Sequence, residues 1–381
     1  MNKSKISLTC IGFTLLVALF LLAMATGFLG LLIVKEEVET AFGKPHHSLS
    51  YTQSLYFQIV LYAQKEALST PVNPAAQAQP FLISSNEPTH LIFERLVQQG
   101  LIVDTSSMQI LMQYLGYDTQ ILAGEHLLSA AMSPYQIAKA LTDPTNLLIQ
   151  FNLLAGWRNE EVAAALAASG LDFTAQEFFT AANQPLHSYL PHRSYSDKIN
   201  SLQGFLMPGS YRIQKTASPT DLLHLFTQNF DSRFTPELEQ KIEDKGLTSY
   251  EGIILASIVQ REGVLEEEMP LIASVFINRL RNQMKLDSDP TVQFALGYND
   301  TQKTWWTNPL NTADFAIDSP YNTYLYSGLP PTPICNPSLA AIMAVAEAPQ
   351  SDYFYFRAAC DGSGRHIFSK TYAEHLDNAC P

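Results

Sequence analysis

One carboxylate stands where an apolar side chain belongs in ILASIVQREG, Ile254 to Gly263. At about 100° per residue, Glu262 falls about 20° from Leu255 and about 60° from Val259 on the wheel of a helix that reads as buried. Burial on that face disfavours the ionised form and raises the pKa. A carboxylic acid is thereby kept protonated near neutral pH, ready to donate to a leaving group. Gly263 is expected to let the helix stop and to leave the acid at its mouth. The nearby Glu266, Glu267 and Glu268 read differently, as a solvated run matched to the positive end of the next helix. His366, between a Gly-rich turn and an apolar pair, reads as a hydrogen-bonded residue of the fold. No CxxC or HExxH string occurs, and the nine histidines show no metal-ligand spacing, so no metal and no cofactor are expected.

The elements that must hold Glu262 lie around it in the chain. LTSYEGIILASIVQREG forms its helix, and EEEMPLIASVFINRLRNQM forms the next, with Pro270 near its start and Ile272, Val275, Phe276 and Leu280 inward. Upstream, Ser218 and Pro219 open a helix, and TPELEQKIEDKG reads as a solvated one. Further back, Ser54–Ser69 reads as a helix and Pro71–Pro80 as a linker. From Phe81 a small α/β module begins: a helix through Leu91, Ile92, Leu96 and Val97, a stop at Gly100, and a second helix over Ser107–Leu115. Extended segments around Gly124 follow, then a helix with Ser133 as N-cap and Pro134 at its first position. FNLLAGW and NEEVAAALAASGL echo the helix, glycine, apolar-exit rhythm of FERLVQQGLI, which suggests two modules in tandem.

A chain of 381 residues holds two or three modules with real cores. Its net charge of −13 and 15% charged residues argue against nucleic acid, which requires a basic face. Lys3 and Lys5 precede an uncharged run from Ile6 to Val34, long enough to cross a hydrocarbon layer of about 30 Å. No small-residue cleavage site precedes Lys35, so the run reads as an uncleaved anchor. The two lysines place the N-terminus in the cytoplasm and the rest outside. Cys10 lies in the span. Cys335, Cys360 and Cys380 fall on the outer side, where disulfides persist; Cys360 and Cys380 could staple the tail, but three candidates leave the pairing open.

Four ordered strings then carry a resemblance: ASIVQREG; ASVFINRLRNQMKLDSDPTVQFALG; DSPYNTYLYSGLPPTPICNPSLAAIMAVAEAP; and YFYFRAACDGSGRHIFSKTYAEH. Together they are similar to the MltG family, also called YceG-like, of bacterial endolytic murein transglycosylases. The resemblance implies an α+β chain with an N-terminal transmembrane helix, LysM-like α/β modules and a C-terminal α+β catalytic domain. The expected organisation is a cytoplasmic N-terminus at 1–5, the span at 6–34, a stalk and linker at 35–80, a LysM-like module at 81–146, a second LysM-like or connecting module at 147–200, and the catalytic domain at 201–381. Glu262 stands at the family's catalytic glutamate. Ser288 and Asp289 of LDSDPT, with Tyr321, Asn322 and Thr323 of SPYNTY, stand at positions expected to line the glycan cleft and bind substrate.

The implied reaction cleaves MurNAc–GlcNAc bonds within nascent peptidoglycan strands and leaves 1,6-anhydro-MurNAc ends, terminating strand elongation. Most glycosidases need two carboxylates. A lytic transglycosylase needs one, because the sugar's C6 hydroxyl replaces water. Glycan strands are the expected partner, with peptidoglycan synthases as further partners, at the bacterial cytoplasmic membrane. Trp305, Trp306, Tyr321, Tyr324 and Tyr326 could stack on sugars. The chain departs from the family at Gln203 and Gly209, where acids are usual, at Asp287, where glutamine is usual, and in LLAGWR, Leu153–Arg158. Two other readings stay open: a hydrolase of the same glycan with Asp289 as second acid, and a catalytically weakened wall-binding scaffold.

Overall fold

Helix α1, Leu8–Phe42, holds one course for 35 residues, about 52 Å at 1.5 Å per residue. Phe13, Leu16 and Phe20 on it stand 69%, 70% and 64% exposed, an apolar surface that no other element covers among the described residues. The computed structural model describes residues 8–193 and 199–380, so Lys3, Lys5 and Ile6 lie outside the described residues. Two compact units divide the chain, Met1–Ile149 and Gln150–Pro381, and the architecture is mixed α+β.

In the first unit α1 does not end where its apolar run ends. Val38 and Phe42 are buried in the same core as Leu61 of α2 (Tyr51–Ala63) and Leu68 of α3 (Lys65–Ser69). Residues 35–80, read from the sequence as stalk and linker, therefore pack. Their apolar residues recur at helical spacing and find Leu111 and Met112 of the same core. The stretch before Pro80 is likewise tied down, with Asn73 N donating to Ala130 O at 2.9 Å and Ser129 Oγ to Ala76 O at 2.9 Å.

Strand β1 (Gln79–Ile83), helices α4 (Thr89–Gln98) and α5 (Thr105–Leu115), and strand β2 (Gly124–Leu128) follow in order. β1 and β2 run antiparallel, from Gln79 opposite Leu128 to Ile83 opposite Gly124. Period-two alternation puts Phe81, Ile83 and Leu128 inside, with His126. Helix α5 starts two residues before Ser107, because Asp104 is the N-cap and accepts from Ser107 N at 2.6 Å. Ser133 caps α6 (Pro134–Ala140) with Pro134 in the first turn, as the spacing predicts. Strand β3 (Leu147–Leu153) opens by pairing Leu147 and Leu148 with β2.

The second unit carries α7 (Asn159–Ala168), α8 (Ala175–Ala182) and strand β4 (Gly209–Gln214), then α9 (Pro219–Arg233) and α10 (Pro236–Glu243). Its centre is α11 (Ser249–Glu262), packed against α12 (Met269–Arg281) and α14 (Leu339–Ala346). Helix α13 (Asp289–Leu296), the hairpin β5 (Tyr355–Ala358) and β6 (His366–Ser369), and α15 (Tyr372–Asp377) complete it. Cys360 and Cys380 form a disulfide across the end of this unit, and Cys335 is a buried free thiol. Of the pairings the sequence leaves open, the one joining the tail to the hairpin is therefore formed.

Candidate active site

Helix α11 forms because its start is capped twice and its body is apolar. Thr248 accepts from Glu251 N, and Glu251 accepts from Thr248 N at 2.7 Å. Ile253 to Val259 are buried without a break, so the helix is surrounded. Leu255 and Val259, the neighbours of Glu262 on the wheel, are fully buried. The helix ends at Gly263 for a different reason than expected. Gly263 has φ −78° and ψ 116°, a conformation open to any residue. What it supplies is room, since a Cβ there would meet Met269 Cγ at 2.8 Å and Val259 O at 3.3 Å.

The Glu262 side chain is half-buried, and Oε1 accepts one short hydrogen bond, from Ser288 Oγ at 2.6 Å. Desolvation pushes its pKa up to about 7, and the charge of Asp289 adds to the rise; the Ser288 hydrogen bond, Arg279 and Arg261 oppose it. Ser288 is the N-cap of α13, where serine normally accepts a hydrogen bond from the helix start. Here it makes no such cap. Its hydroxyl turns to the glutamate instead.

Two loops hold that serine. Ser288 N donates to Thr323 Oγ1 at 3.1 Å, Thr291 Oγ1 donates to Ser288 O at 2.6 Å, and the hydroxyls of Thr291 and Thr323 meet at 2.8 Å. All three residues are buried. Asn322, also buried, donates from Nδ2 to Phe315 O and Ile317 O, both at 2.9 Å, and accepts from Tyr324 N at 3.0 Å. Asn322 and Thr323 thus brace the loop from inside. Asp289 is exposed and accepts from Tyr324 Oη at 2.6 Å, while Tyr321 Oη meets Thr332 Oγ1 at 2.8 Å. Four of the five residues expected around Glu262 fall into two sets, and Tyr321 stands apart from both. Ser288, Thr323 and Asn322 form one, and Asp289 with Tyr324 forms the other at the surface; Tyr321 packs on Phe294 at 4.7 Å.

The aromatics are mostly occupied. Trp306 is 9% exposed, lies 3.8 Å from the Arg261 guanidinium carbon and donates from Nε1 to Glu161 at 3.0 Å. Trp305 stacks on Arg158 at 4.6 Å. Tyr324 packs edge-on against Phe315, and burial with the nearby Asp289 pushes its phenol pKa up. Tyr326, 48% exposed, keeps an open ring while its hydroxyl donates to Asp318.

Arg279 was missed by the sequence reading. It lies 8% exposed on α12, donating from Nε to Phe354 O at 2.7 Å and from Nη1 to Leu286 O and to Asp287. Asp287 sits at φ +50°, a left-handed position that aspartate tolerates, and its ion pair with Arg279 gives that departure a structural use. The signal was available, because Arg279 falls about 20° from Ile272 on its helix, the same misplacement that marks Glu262.

The segment just after Gln203 and the Leu153–Arg158 turn also meet, on Asn336. The Asn336 side chain accepts from Gly204 N at 2.9 Å and Leu206 N at 3.1 Å, and donates to Trp157 O and Asn159 Oδ1 at 3.1 Å. Gln203 Oε1 accepts from Asn159 N at 2.9 Å, satisfying a free donor at the start of α7. Gly209 lies beside the Tyr211 ring, 3.6 Å from where its Cβ would be. Glu268 differs from the expected solvated run: it is largely buried and accepts from His366 N at 3.0 Å and Nδ1 at 2.9 Å. Glu266 and Glu267 are exposed.

Chemically, a carboxyl with a pKa near 7 holds both protonation states at neutral pH, so one group can give a proton and take one back. Among the described residues no three His, Cys, Asp or Glu side chains gather as metal ligands.

A sequence profile of the YceG-like family matches residues 81–380. The chain is 28% identical over 305 residues to an endolytic murein transglycosylase of Bacillus subtilis strain 168, covering 77% of this chain and 81% of that protein. It is 30% identical over 305 residues to an endolytic murein transglycosylase of Streptococcus pneumoniae D39, covering 74% of this chain and 53% of that one. The chain thus spans about half the length of the pneumococcal relative. The crystal structure of a yceG-like protein from Listeria monocytogenes superposes with a TM-score of 0.53 at 25% identity, over 80% of this chain and 99% of that one.

Proposed function

This chain belongs to the YceG-like family, and from that premise we propose that it is an endolytic lytic transglycosylase of murein with Glu262 as general acid and base. The observation that carries the reading is the half-buried Glu262 carboxyl, held by one hydroxyl and poised near pH 7. In the acid step its proton goes to the glycosidic oxygen, and the bond from that oxygen to C1 of MurNAc breaks. In the second step the carboxylate takes the proton of the same sugar's C6 hydroxyl as that oxygen bonds to C1. The 1,6-anhydro ring closes, no water is consumed, and Glu262 is protonated again for the next cycle. Ser288 orients the carboxyl, and the loops at Asp289 and Tyr321 supply polar groups at the cleft.

The remaining assignments belong to the same proposal. Helix α1 anchors the chain in the cytoplasmic membrane, N-terminus inside, with the residues that follow the span outside. The order β1–α4–α5–β2, with antiparallel strands, supports a LysM-like glycan-binding module at 81–146, and β3–α7–α8 supports its echo at 147–200. Residues 201–381 form the catalytic domain. Cleavage within nascent strands would terminate their elongation beside the synthases that make them.

One observation favours a second reading: Asp289 lies near enough to raise the pKa of Glu262 and could activate water, giving a hydrolase. The scaffold reading loses its motive at Gln203, which is spent on the start of α7. Mass spectrometry of products from uncrosslinked glycan strands decides the matter. Anhydro-ended internal fragments that vanish with Glu262→Gln are expected. Reducing ends would make the enzyme a hydrolase, and intact strands a scaffold.

A further inference from the structure

At the end of the apolar part of α1 a cavity of about 430 Å³ opens between α1, the turn after it and α2. Its lining changes character along the helix. Phe28 and Leu32 form one wall, both exposed, and one to three turns further on stand Lys35 and Glu39, with His46 and His47 facing from the turn. Lys35 Nζ and Glu39 Oε1 lie 3.9 Å apart, a loose pair that leaves both groups available. His46 is seated rather than loose. Its N donates to Tyr114 O at 2.8 Å, its Nδ1 meets Ser48 Oγ at 2.8 Å, and its ring lies over Gly116, where a Cβ would come within 2.5 Å. Gly116 has φ +72° at the end of α5, so glycine serves both the turn and the ring. Beside the cavity, Tyr51, Ile59 and Tyr62 expose 80%, 47% and 41% of their surface on α2, within about 80° of one another. Tyrosines of this kind settle at the boundary between hydrocarbon and water.

We propose that this cavity binds a phospholipid with a zwitterionic, amine-bearing headgroup. The inference rests on the reading of α1 as a membrane span, since Val34 and Lys35 then mark the headgroup level. The acyl chains run along Phe28 and Leu32. The phosphate meets Lys35 and His47, and the ammonium meets Glu39. A headgroup with a phosphate alone would leave Glu39 facing an anion, and a free anion would gain nothing from the apolar wall.

The test is native mass spectrometry of the full chain in a non-ionic detergent, titrated with phosphatidylethanolamine, phosphatidylglycerol or inorganic phosphate. One phosphatidylethanolamine per chain is expected, weakened about tenfold in Lys35→Ala/His47→Ala, as fits the loss of charge-assisted hydrogen bonds. Glu39→Gln should narrow the preference over phosphatidylglycerol. Unchanged occupancy in the double variant, phosphatidylglycerol binding as tightly in the native chain, or displacement by inorganic phosphate would each overturn the site. His47 is exposed, so His47→Ala alone reads the site if the double variant does not fold. Alkaline extraction of membranes separates the two readings: release of the chain would sink the anchor and the lipid site with it, whereas retention in the membrane with no phosphatidylethanolamine bound would sink the site alone.

Discussion

Glu262 and Glu268 are six residues apart in the chain, and both leave water, yet they are equipped for opposite ends. Glu268 receives the backbone N and the Nδ1 of His366, two donors with one buried ring behind them. Glu262 receives one hydroxyl, and desolvation wins. A buried carboxylate given enough donors becomes a clasp between segments nearly a hundred residues apart. One given too few keeps a mobile proton.

That contrast can be broken or sharpened by substitution, and the largest effect belongs to Glu262. Glu262→Gln is expected to cut turnover on glycan strands by about a thousandfold or more, measured by release of muropeptides. The same variant should be the more stable protein at alkaline pH. The folded-state pKa of Glu262 is raised, so its favourable contribution is complete below about pH 4.5 and is lost as pH rises through about 7. Urea titrations at pH 5 and pH 8.5 should show the variant gaining about 2 kcal/mol relative to the native chain across that range, allowing for partial exposure. An equal response at both pH values would mean that the carboxyl is solvated.

Glu268→Ala should do the reverse. Loss of about 1–3 kcal/mol in the same titrations is expected, with kcat little changed below the melting range. A collapse of kcat in a folded Glu268→Ala protein would erase the distinction. Ser288→Ala is expected to lower activity about tenfold and to move the alkaline limb of the pH profile upward, because the hydrogen bond it removes holds the Glu262 pKa down. Asp289→Asn should move the same limb slightly downward, since the Asp289 charge raises that pKa. Opposite shifts from adjacent residues are hard to produce through general loosening. A large loss of turnover in Asp289→Asn would favour the hydrolase.

Legibility followed the range of the contact. The wheel position of Glu262, the caps of α6 and α9 and the order of two helices and an extended segment between Leu91 and Leu128 depend on neighbours within a few turns, and the local pattern carries them; strand β1, whose partner lies about 45 residues on, is not marked by it. Arg279 obeys the same wheel rule and went unread only because a cation near a helix end usually reads as a match to the dipole. The work of Asn336 could not be seen, since its partners lie at Trp157, Asn159, Gly204 and Leu206, more than a hundred residues away. Trp305 and Trp306 look like sugar platforms in the sequence. Arg158 and Arg261 occupy their faces instead, a pairing set by tertiary packing. The 35–80 segment resembled a tether because it is rich in proline, alanine and glutamine near its end, while its earlier helices carry the core residues.

The unbroken course of α1 has a mechanical corollary. A flexible tether would uncouple the first unit from the bilayer, but a helix whose last turns are buried at Val38 and Phe42 behaves as a handle set in that unit. A span longer than the hydrocarbon layer is thick accommodates by tilting. If the apolar part of α1 spans the bilayer as proposed, a rigid handle turns thinning or thickening of the bilayer into rotation of the residues packed on Val38 and Phe42 against the membrane plane, and lipid composition then sets their orientation.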